Sequence, residues 1–551
     1  MRVALLSDAA TQQFVPLLKT LFHENGVGTV FYEGAFDAME LEVLNPASGL
    51  YAFLPDVVVL LNSTQALRAR YYAFAIEPEF ETIPRIWDAL AAVFKGRIVQ
   101  CNFALPYERP FGQFDWKVKN TFYRATQELN AHIATEAGKR SGVLLCDMES
   151  VASWAGRREW FDDRLWDMSK TFCALEHLPL AAQATVDVVM ASLGRVVKCI
   201  VLDLDNTLWG GVVGDVGPEG VQIGAHGEGE AFFRFQQFLL TLKNRGILLA
   251  VCSKNDMENA VAPFEQNQQM VLKRDDITVF IANWENKAGN IRAIRDALEI
   301  GFDSMLFLDD SAFERNLVRS FLPEVIVPEL PEDPADYLRA ICELNLFETT
   351  AFSSEDAERA KLYKQAAERS QAQSSFSDVN EYLQSLEMRI TVRRFEAAKI
   401  GRIAQLFLRS NQFNVTTNRY SEAECVAMMQ NPDCVPLEAS LCDRFGDQGL
   451  ISIVVAWPQS DTLRISDWLM SCRVLGRGVE QYLMNHLFCR ARELGLAKVS
   501  GEYIPSAKNG LVKDFWAGFG FRPAGELKWE QEIWRYQPTA ITWISSVSSP
   551  V

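Results

Sequence analysis

The sequence lacks any apolar segment of the ~20 residues that a helix needs to cross a membrane. Its first apolar run is short and is followed at once by Asp8, so we expect no signal peptide. None of the 11 cysteines forms a C-x-x-C pair, which argues against a structural zinc site. We therefore expect a cytoplasmic protein with reduced thiols and no membrane partner.

Basic residues are too few for a nucleic-acid binder. The 54 Lys and Arg residues stand against 71 Asp and Glu residues, and the resulting net charge of −17 would repel a phosphate backbone. A small phosphorylated substrate stays possible, because a bound metal ion can dominate the charge of one pocket. The hydrophobic fraction of 48% is typical of folded protein, and 551 residues are too many for one hydrophobic core.

Three regions with different patterns follow one another along the chain. Residues 1–194 and 195–369 alternate buried strand patterns with helical segments, which predicts two α/β domains, the second of them doubly wound. The polar residues 370–377 are typical of a linker. Residues 378–545 contain adjacent strand patterns followed by a helix, which predicts an α+β domain.

A strand pattern in the middle region runs directly into the sequence DLDNT at residues 203–207. At the carboxyl end of a parallel strand, side chains face the crevice in which α/β domains bind ligands. The carboxylate of Asp203 can attack phosphorus there and form an aspartyl phosphate. Asp205 can protonate the leaving oxygen and then activate water. An aspartate at a strand end is also common as a helix cap, so this motif alone leaves both interpretations open.

Further polar groups follow buried strand patterns in the same region. Ser253 ends one of them and can donate a hydrogen bond to a phosphoryl oxygen. Lys287 lies in a later loop and can neutralise charge on the transferring group. Asp309 and Asp310 follow the last strand pattern, and together with Asp203 they make a hard oxygen site suited to Mg²⁺.

This order of residues resembles the haloacid dehalogenase (HAD) superfamily, whose motif is D-x-D-x-T, then Ser or Thr, then Lys, then two acids. The matching residues are Asp203, Asp205, Thr207, Ser253, Lys287, Asp309 and Asp310. The resemblance implies a HAD-like fold and a Mg²⁺ cofactor. It also implies that Asp205 gives its backbone carbonyl to the metal.

Two longer segments, and the three-part layout, look like the FkbH-like proteins of polyketide biosynthesis, in HAD subfamily IIIC. The segments are LWGGVVGD at residues 208–215 and LAVCSKND at residues 249–256. The resemblance implies a transferase and hydrolase that moves a glyceryl group from 1,3-bisphosphoglycerate to the phosphopantetheine thiol of an acyl carrier protein and removes phosphate. One departure is Ala312, where the family usually has proline.

A cysteine thiolate is a candidate carrier for the acyl group, because it is a good nucleophile. Cys252 lies beside Ser253, and Cys472 lies beside a glycine loop. For both cysteines the alternative, a small buried core residue, stays open.

The glycine loop at residues 473–478 has the form R-x-x-G-x-G and precedes a helical pattern. Its residues Arg473, Gly476 and Gly478 resemble the GNAT acetyltransferases, in which such a loop offers backbone N–H groups to a pyrophosphate. This implies binding of coenzyme A or of a phosphopantetheine arm, with a tight turn before a packed helix as the alternative. Asn411 and Asn414 are candidates to line the acyl site or to form turns.

The first domain looks like an SGNH-hydrolase α/β layer. Ser7 falls near the nucleophile position, and Asn62 or Asn102 near the oxyanion hole. The expected D-x-x-H pair is missing, because Trp166 stands where histidine should follow Asp163. A serine without its base is a poor nucleophile, so we expect a docking or structural role.

Three functions are compatible with these patterns. The first is glyceryl transfer to a carrier protein with phosphate removal. The second is a Mg²⁺-dependent phosphomonoesterase with two accessory domains, which would use the same aspartates. The third is a carrier-protein-binding acyltransferase or scaffold, against which the intact acidic set argues.

Overall fold

The computed structural model describes residues 1–74, 77–350, 378–410, 412–471, 474–506 and 509–546. The predicted linker at 370–377 lies outside these residues. So do Asn411, Cys472 and Arg473, and the predictions made for them. No helix in the described ranges is long and apolar enough to cross a membrane.

The first region folds around a fully parallel sheet. Its strands are β1 (Arg2–Ser7), β2 (Val30–Glu33), β3 (Val57–Leu61), β4 (Arg97–Cys101) and β5 (Val143–Cys146). Their order in the sheet is β2-β1-β3-β4-β5. Successive residues of β1 alternate between two apolar clusters, Val3 and Leu5 in one and Ala4 and Leu6 in the other. Both faces of the sheet are therefore covered, as a parallel sheet requires.

Helices connect and cover the strands of this first sheet. They are α1 (Phe14–Glu24), α2 (Met39–Leu44), α3 (Gly49–Phe53), α4 (Thr64–Phe74), α5 (Glu77–Val93), α6 (Phe122–Ala137), α7 (Met148–Ala155), α8 (Arg157–Trp160), α9 (Asp163–Ser169) and α10 (Leu178–Ser192).

The middle region has a second parallel sheet. Its strands are β6 (Cys199–Leu202), β7 (Leu248–Ser253), β8 (Val279–Ala282) and β9 (Met305–Leu308), in the order β8-β7-β6-β9. Leu202 lies opposite Val251 on one side and Leu308 on the other, so these strands end close together. This register brings the residues that follow β6 and β9 to one edge of the sheet.

The helices of the middle region lie between its strands and after the last of them. They are α11 (Val213–Val216), α12 (Gly229–Asn244), α13 (Met257–Gln266), α14 (Lys287–Leu298), α15 (Ala312–Phe321) and α16 (Tyr337–Glu343). Ile200 and Leu202 of β6 belong to one apolar cluster, whereas Cys199 and Val201 belong to another. The sheet therefore has a core on each face, which confirms the doubly wound arrangement.

The third region contains a mixed sheet. Its strands are β10 (Met388–Arg394), β11 (Val435–Asp443), β12 (Gly446–Gln459), β13 (Thr462–Met470), β14 (Lys498–Glu502), β15 (Arg522–Pro523), β16 (Lys528–Glu532) and β17 (Ile544–Ser546). Their order is β15-β16-β14-β13-β12-β11-β10-β17. Neighbours are antiparallel except for the parallel pairs β13–β14 and β10–β17.

The helices of the third region are α17 (Val379–Ser385), α18 (Ile400–Arg409), α19 (Glu422–Gln430), α20 (Val479–Glu493) and α21 (Phe515–Gly518). The three sheets confirm the predicted α/β class, with two parallel sheets followed by an α+β part.

The chain divides into two compact units. One contains Met1–Leu193 with Glu348–Thr350, and the other contains Gly194–Phe347 with the described residues beyond 377. The domain boundaries predicted at 195–369 and 378–545 stay predictions.

Candidate active site

Asp203 directly follows β6, at the edge of the sheet where β7 and β9 also end. Its backbone N–H donates to the carbonyl oxygen of Leu308, so the chain continues along β9 for one residue beyond the strand. Asp203 is 8% exposed, so little of this residue is in contact with solvent. The position suits a nucleophile that must meet its substrate away from bulk water.

Lys287 joins two of the predicted site residues. Its Nζ lies 2.8 Å from Asp203 Oδ1 and 2.5 Å from Asp309 Oδ2. Burial disfavours the ammonium ion, but the two carboxylates outweigh it and raise the pKa of Lys287. Lys287 starts α14, where the Asn286 side chain caps the helix by accepting from Gly289 N–H. The cap fixes where the lysine stem enters the core.

Three carboxylates form a cluster that can hold a metal ion. Asp203, Asp309 and Asp310 each offer an oxygen, and these oxygens lie within 4.8 Å of one another. No other such group of His, Cys, Asp and Glu occurs among the residues that the structure describes. Burial first, and then the Asp203 carboxylate, raise the pKa of Asp309. Hard oxygen donors with excess negative charge fit Mg²⁺.

Asp205 is held beside this cluster by three donors. Its Oδ1 accepts from Trp209 Nε1 at 2.9 Å and from Val213 N–H at 3.1 Å, and its Oδ2 accepts from Asn255 Nδ2 at 3.2 Å. Burial raises the pKa of Asp205, which favours the protonated form that a general acid needs. Its side chain is outside the carboxylate cluster, and the predicted backbone ligand stays a prediction.

Thr207 and Arg315 position the loop after β9. Thr207 is wholly buried, and its Oγ1 accepts from Asp310 N–H at 3.1 Å. Arg315 donates through Nη1 to the carbonyl oxygens of Asp309 and Asp310, at 2.8 and 2.7 Å. In this structure the hydroxyl of Thr207 holds the backbone of Asp310, and its place in the catalytic set stays a prediction.

The departure from the family pattern at Ala312 has no structural consequence. Ala312 is the first residue of α15, and Ser311 caps this helix by accepting from Glu314 N–H. Proline and alanine both suit the first position of a helix.

Ser253 and Cys252 lie side by side but in different environments. Ser253 is the last residue of β7 and is 2% exposed, at the same edge as Asp203. Cys252 belongs to the apolar cluster that also contains Ala288 and Ile291 of α14. Its thiol donates to Lys287 O at 3.8 Å, and burial raises its pKa to about 12. These contacts are those of a small buried core residue, and the interpretation of Cys252 as an acyl carrier stays a prediction.

We expect iodoacetamide at pH 8 to modify Cys342 and Cys489, which are exposed, and to leave Cys252 unmodified in the folded protein. A thiol with a pKa of about 12 presents very little thiolate at this pH. Peptide mass mapping with and without urea measures this difference. Alkylation of Cys252 at the rate of Cys489 without urea would contradict the buried assignment.

Comparison with known proteins identifies the chain. The family model described as FkbH, N-terminal domain, matches residues 2–190. The crystal structure of the N-terminal part of the protein BF1531 from Bacteroides fragilis, containing a phosphatase domain complexed with Mg, is 40% identical. The match covers 64% of this chain and 95% of that one, with a TM-score of 0.61. The chain belongs to the FkbH-like family. The prediction of an enzyme with a HAD-like phosphatase domain is thereby confirmed.

Other solved structures match part of this FkbH-like chain. The ribosomal-protein-S18-alanine N-acetyltransferase from Escherichia coli is 15% identical, covering 26% of this chain and 94% of its own, with a TM-score of 0.21. The GNAT domain of S. lividans PAT is 22% identical, covering 26% and 89%, with a TM-score of 0.21. No curated protein matches the chain.

In the described part of the glycine loop, the backbone N–H of Gly476 already has a hydrogen-bond acceptor. This N–H donates to Glu480 Oε1 at 3.1 Å, inside the same chain. Asn414 is 1% exposed, and its Oδ1 accepts from the N–H groups of Thr416 and Thr417. These contacts are those of a turn-forming asparagine, which is one of the two interpretations of Asn414.

The N-terminal residues with SGNH-like positions lie at the carboxyl ends of their strands. Ser7 Oγ accepts from Ala9 N–H at 2.9 Å, Asn62 Oδ1 accepts from Gln100 Nε2 at 2.8 Å, and Asn102 Nδ2 donates to Asp147 at 2.7 Å. The carboxylate of Asp163 accepts from Tyr107 Oη. None of these partners is a histidine, and the docking or structural role stays a prediction.

Sequence reasoning assigned no role to the groups that orient the site residues. Trp209 and Asn255 hold Asp205, and Arg315 holds the acidic loop. Lys254 Nζ lies 2.6 Å from the buried Glu314. Trp209, Lys254 and Asn255 stand within the segments that resemble the family, and this resemblance is the signal that points to them.

Proposed function

We propose that the Asp203 site catalyses Mg²⁺-dependent phosphoryl transfer through an aspartyl phosphate. The observation that carries this proposal is the position of Lys287 Nζ between Asp203 and Asp309, with Asp310 completing a cluster of carboxylate oxygens. Asp203, Asp309 and Asp310 would hold the ion. When bound, Mg²⁺ would supply positive charge to the transferring phosphoryl group.

Each step can be assigned to a residue of this chain. An Asp203 oxygen forms a bond to phosphorus as the bond from phosphorus to the ester oxygen breaks. Asp205 gives its proton to the leaving oxygen. It then takes a proton from the water that attacks the aspartyl phosphate, and the bond from phosphorus to the Asp203 oxygen breaks, which releases phosphate and regenerates the carboxylate. Lys287 Nζ, 2.8 Å from Asp203 Oδ1, orients this carboxylate and offsets charge on the phosphoryl oxygens.

We further propose that the phosphorylated substrate is a glyceryl unit derived from 1,3-bisphosphoglycerate and bound to an acyl carrier protein. An acyl phosphate is already activated, so the carrier thiolate can attack its carbonyl carbon while the acyl-phosphate oxygen leaves with the electron pair. The product is a thioester that still carries one phosphate ester. The Asp203 site would hydrolyse this ester. Membership of the FkbH-like family supports this proposal, and so does a buried Cys252, because direct transfer needs no enzyme thiol.

Removal of the metal tests the phosphoryl-transfer step. We expect EDTA to lower phosphate release from p-nitrophenyl phosphate by about 100-fold or more, because the metal contributes several kcal/mol to transition-state stabilisation. Added MgCl₂ should restore the rate, and a colorimetric phosphate assay measures both. An unchanged rate after dialysis against EDTA would exclude a metal-dependent mechanism.

The intact mass of a phosphopantetheinylated acyl carrier protein tests the transfer step separately. The carrier is incubated with this protein, MgCl₂ and enzymatically generated 1,3-bisphosphoglycerate, and a glyceryl mass gain is expected. With Asp203→Asn, the gain should be absent or should retain phosphate. Phosphate release without any carrier modification would leave the phosphomonoesterase as the better account.

A further inference from the structure

In the glycine loop that precedes α20, a side chain of that helix accepts a hydrogen bond from a loop N–H group. Gly476 and Gly478 have left-handed backbones, with φ of 70° and 89°, and Gly478 is the N-cap residue of α20. Glu480 stands in the first turn and is 9% exposed, and its Oε1 accepts from Gly476 N–H at 3.1 Å. Its carboxylate therefore lies at the helix start, where backbone N–H groups attract an anion.

Arg477, the basic residue in the described part of the loop, is also paired within the chain. Arg477 Nη1 lies 3.5 Å from Asp443 Oδ2, and Asp443 has a wholly buried side chain. Burial raises the pKa of Glu480, while its own N–H and that of Gly476 act in the opposite direction. In the described part of the loop, Gly476 N–H and Arg477 thus both have a carboxylate of the chain itself as partner.

Trp543 covers the other glycine of the loop. Its Nε1 donates to Arg477 O at 2.8 Å, and a Cβ atom added to Gly478 would lie 3.0 Å from the same nitrogen. The indole therefore fills the space on the Cβ side of Gly478.

The C-terminal segment that carries Trp543 is fixed on both sides of this residue. Asn485 of α20 donates to Thr539 O at 2.9 Å and accepts from Thr539 N–H at 3.1 Å. Beyond Trp543, β17 pairs with β10 from Ile544 onward. The position of the Trp543 indole is therefore fixed by hydrogen bonds of the chain on both sides of this residue, in addition to its own hydrogen bond to Arg477.

We infer that Glu480 and Trp543 together fill the anion site of the glycine loop, so that this domain does not bind a coenzyme through its diphosphate. An incoming diphosphate would have to displace a buried carboxylate of like charge and move a fixed tryptophan. The same exclusion applies to the phosphate of a phosphopantetheine arm at this loop. A carrier protein would have to place its arm elsewhere on the chain. The inference does not depend on the proposed function.

Calorimetric titration of the full chain with coenzyme A tests this inference. The unaltered protein should show no saturable binding up to about 1 mM. The double variant Glu480→Ala with Trp543→Ala frees Gly476 N–H, removes the charge and uncovers Gly478. We expect it to bind coenzyme A at least about tenfold more tightly than the unaltered protein. Glu493→Ala, which removes an exposed carboxylate from the last turn of the same helix, is the matched control and should not bind.

Two results would overturn the inference. One is saturable binding of coenzyme A to the unaltered protein with a Kd below about 100 μM. The other is absence of binding to a double variant whose melting temperature and circular dichroism show that it is folded. Titration with pantetheine, which lacks phosphate, separates the two parts of the ligand. Gain of binding for coenzyme A alone places the effect at the anion site.

Discussion

Asp203→Asn is expected to lower phosphate release by about a thousandfold or more, because it removes the nucleophile and leaves the rest of the site in place. An amide has nearly the shape of the carboxylate and still reaches Lys287 Nζ, which lies 2.8 Å from Asp203 Oδ1. Its oxygen carries too little charge to attack phosphorus. The variant should therefore fold normally and fail in the chemical step.

The control for this variant is Asp215→Asn, which makes the same chemical change at an exposed position in α11. The rate of this control should stay within about twofold of the unaltered protein, since it lies outside the carboxylate cluster. Single-turnover phosphate release with excess enzyme measures the chemical step directly. Retention of more than about a tenth of the rate in Asp203→Asn would exclude an Asp203 nucleophile.

Lys287→Met is expected to destabilise the edge of the middle sheet by about 3–5 kcal/mol when EDTA is present. Lys287 is 3% exposed and contacts both Asp203 and Asp309, so its loss leaves two neighbouring carboxylates without a cation. Methionine fills nearly the same volume, so little of the effect comes from a cavity. Hydrogen–deuterium exchange of peptides that cover β6 and β9 should become about 100-fold faster or more.

The pH dependence of this destabilisation has a definite sign. Burial and the Asp203 carboxylate already raise the pKa of Asp309, and loss of the lysine raises it further. A carboxyl group with a raised folded-state pKa binds its proton more tightly when folded, so a fall in pH stabilises the folded variant. The difference in exchange between Lys287→Met and the unaltered protein should therefore shrink from pH 8 to pH 5.

Lys243→Met is the matched control for the lysine variant. Lys243 is 25% exposed, pairs with Asp276 at 3.0 Å and lies in the same domain. Its loss should cost less than about 1 kcal/mol, because exposed ion pairs contribute little. Equal exchange in β6 and β9 for both variants would show that Lys287 does not stabilise this edge.

The two proposals can be tested independently because they depend on different parts of the chain. The phosphoryl-transfer proposal rests on residues that follow β6 and β9, and the inference on the glycine loop rests on α20 and the C-terminal segment. Loss of phosphate release in Asp203→Asn leaves coenzyme A binding unaffected. Gain of coenzyme A binding in the double variant leaves the Asp203 chemistry unaffected.

Much of the fold and the reactive set could be predicted from the sequence. Continuous apolar strand patterns that alternate with helices specify parallel sheets, because such strands must be buried on both faces. Acids at the ends of those strands must then meet at one edge, and Asp203, Asp309 and Asp310 lie together there. The order of residues in the HAD motif also predicts Lys287 and Ser253 as members of this site.

The sequence by itself determined the α/β class, the edge of the sheet at which the acids meet and the family of the middle domain. Only the tertiary structure decided that Cys252 faces the core, that Trp209 and Asn255 hold Asp205, and that Glu480 with Trp543 closes the glycine loop. The physical reason is distance along the chain. Strand patterns are local, whereas Asp205 and Asn255, or Arg477 and Trp543, meet only after the sheets have formed.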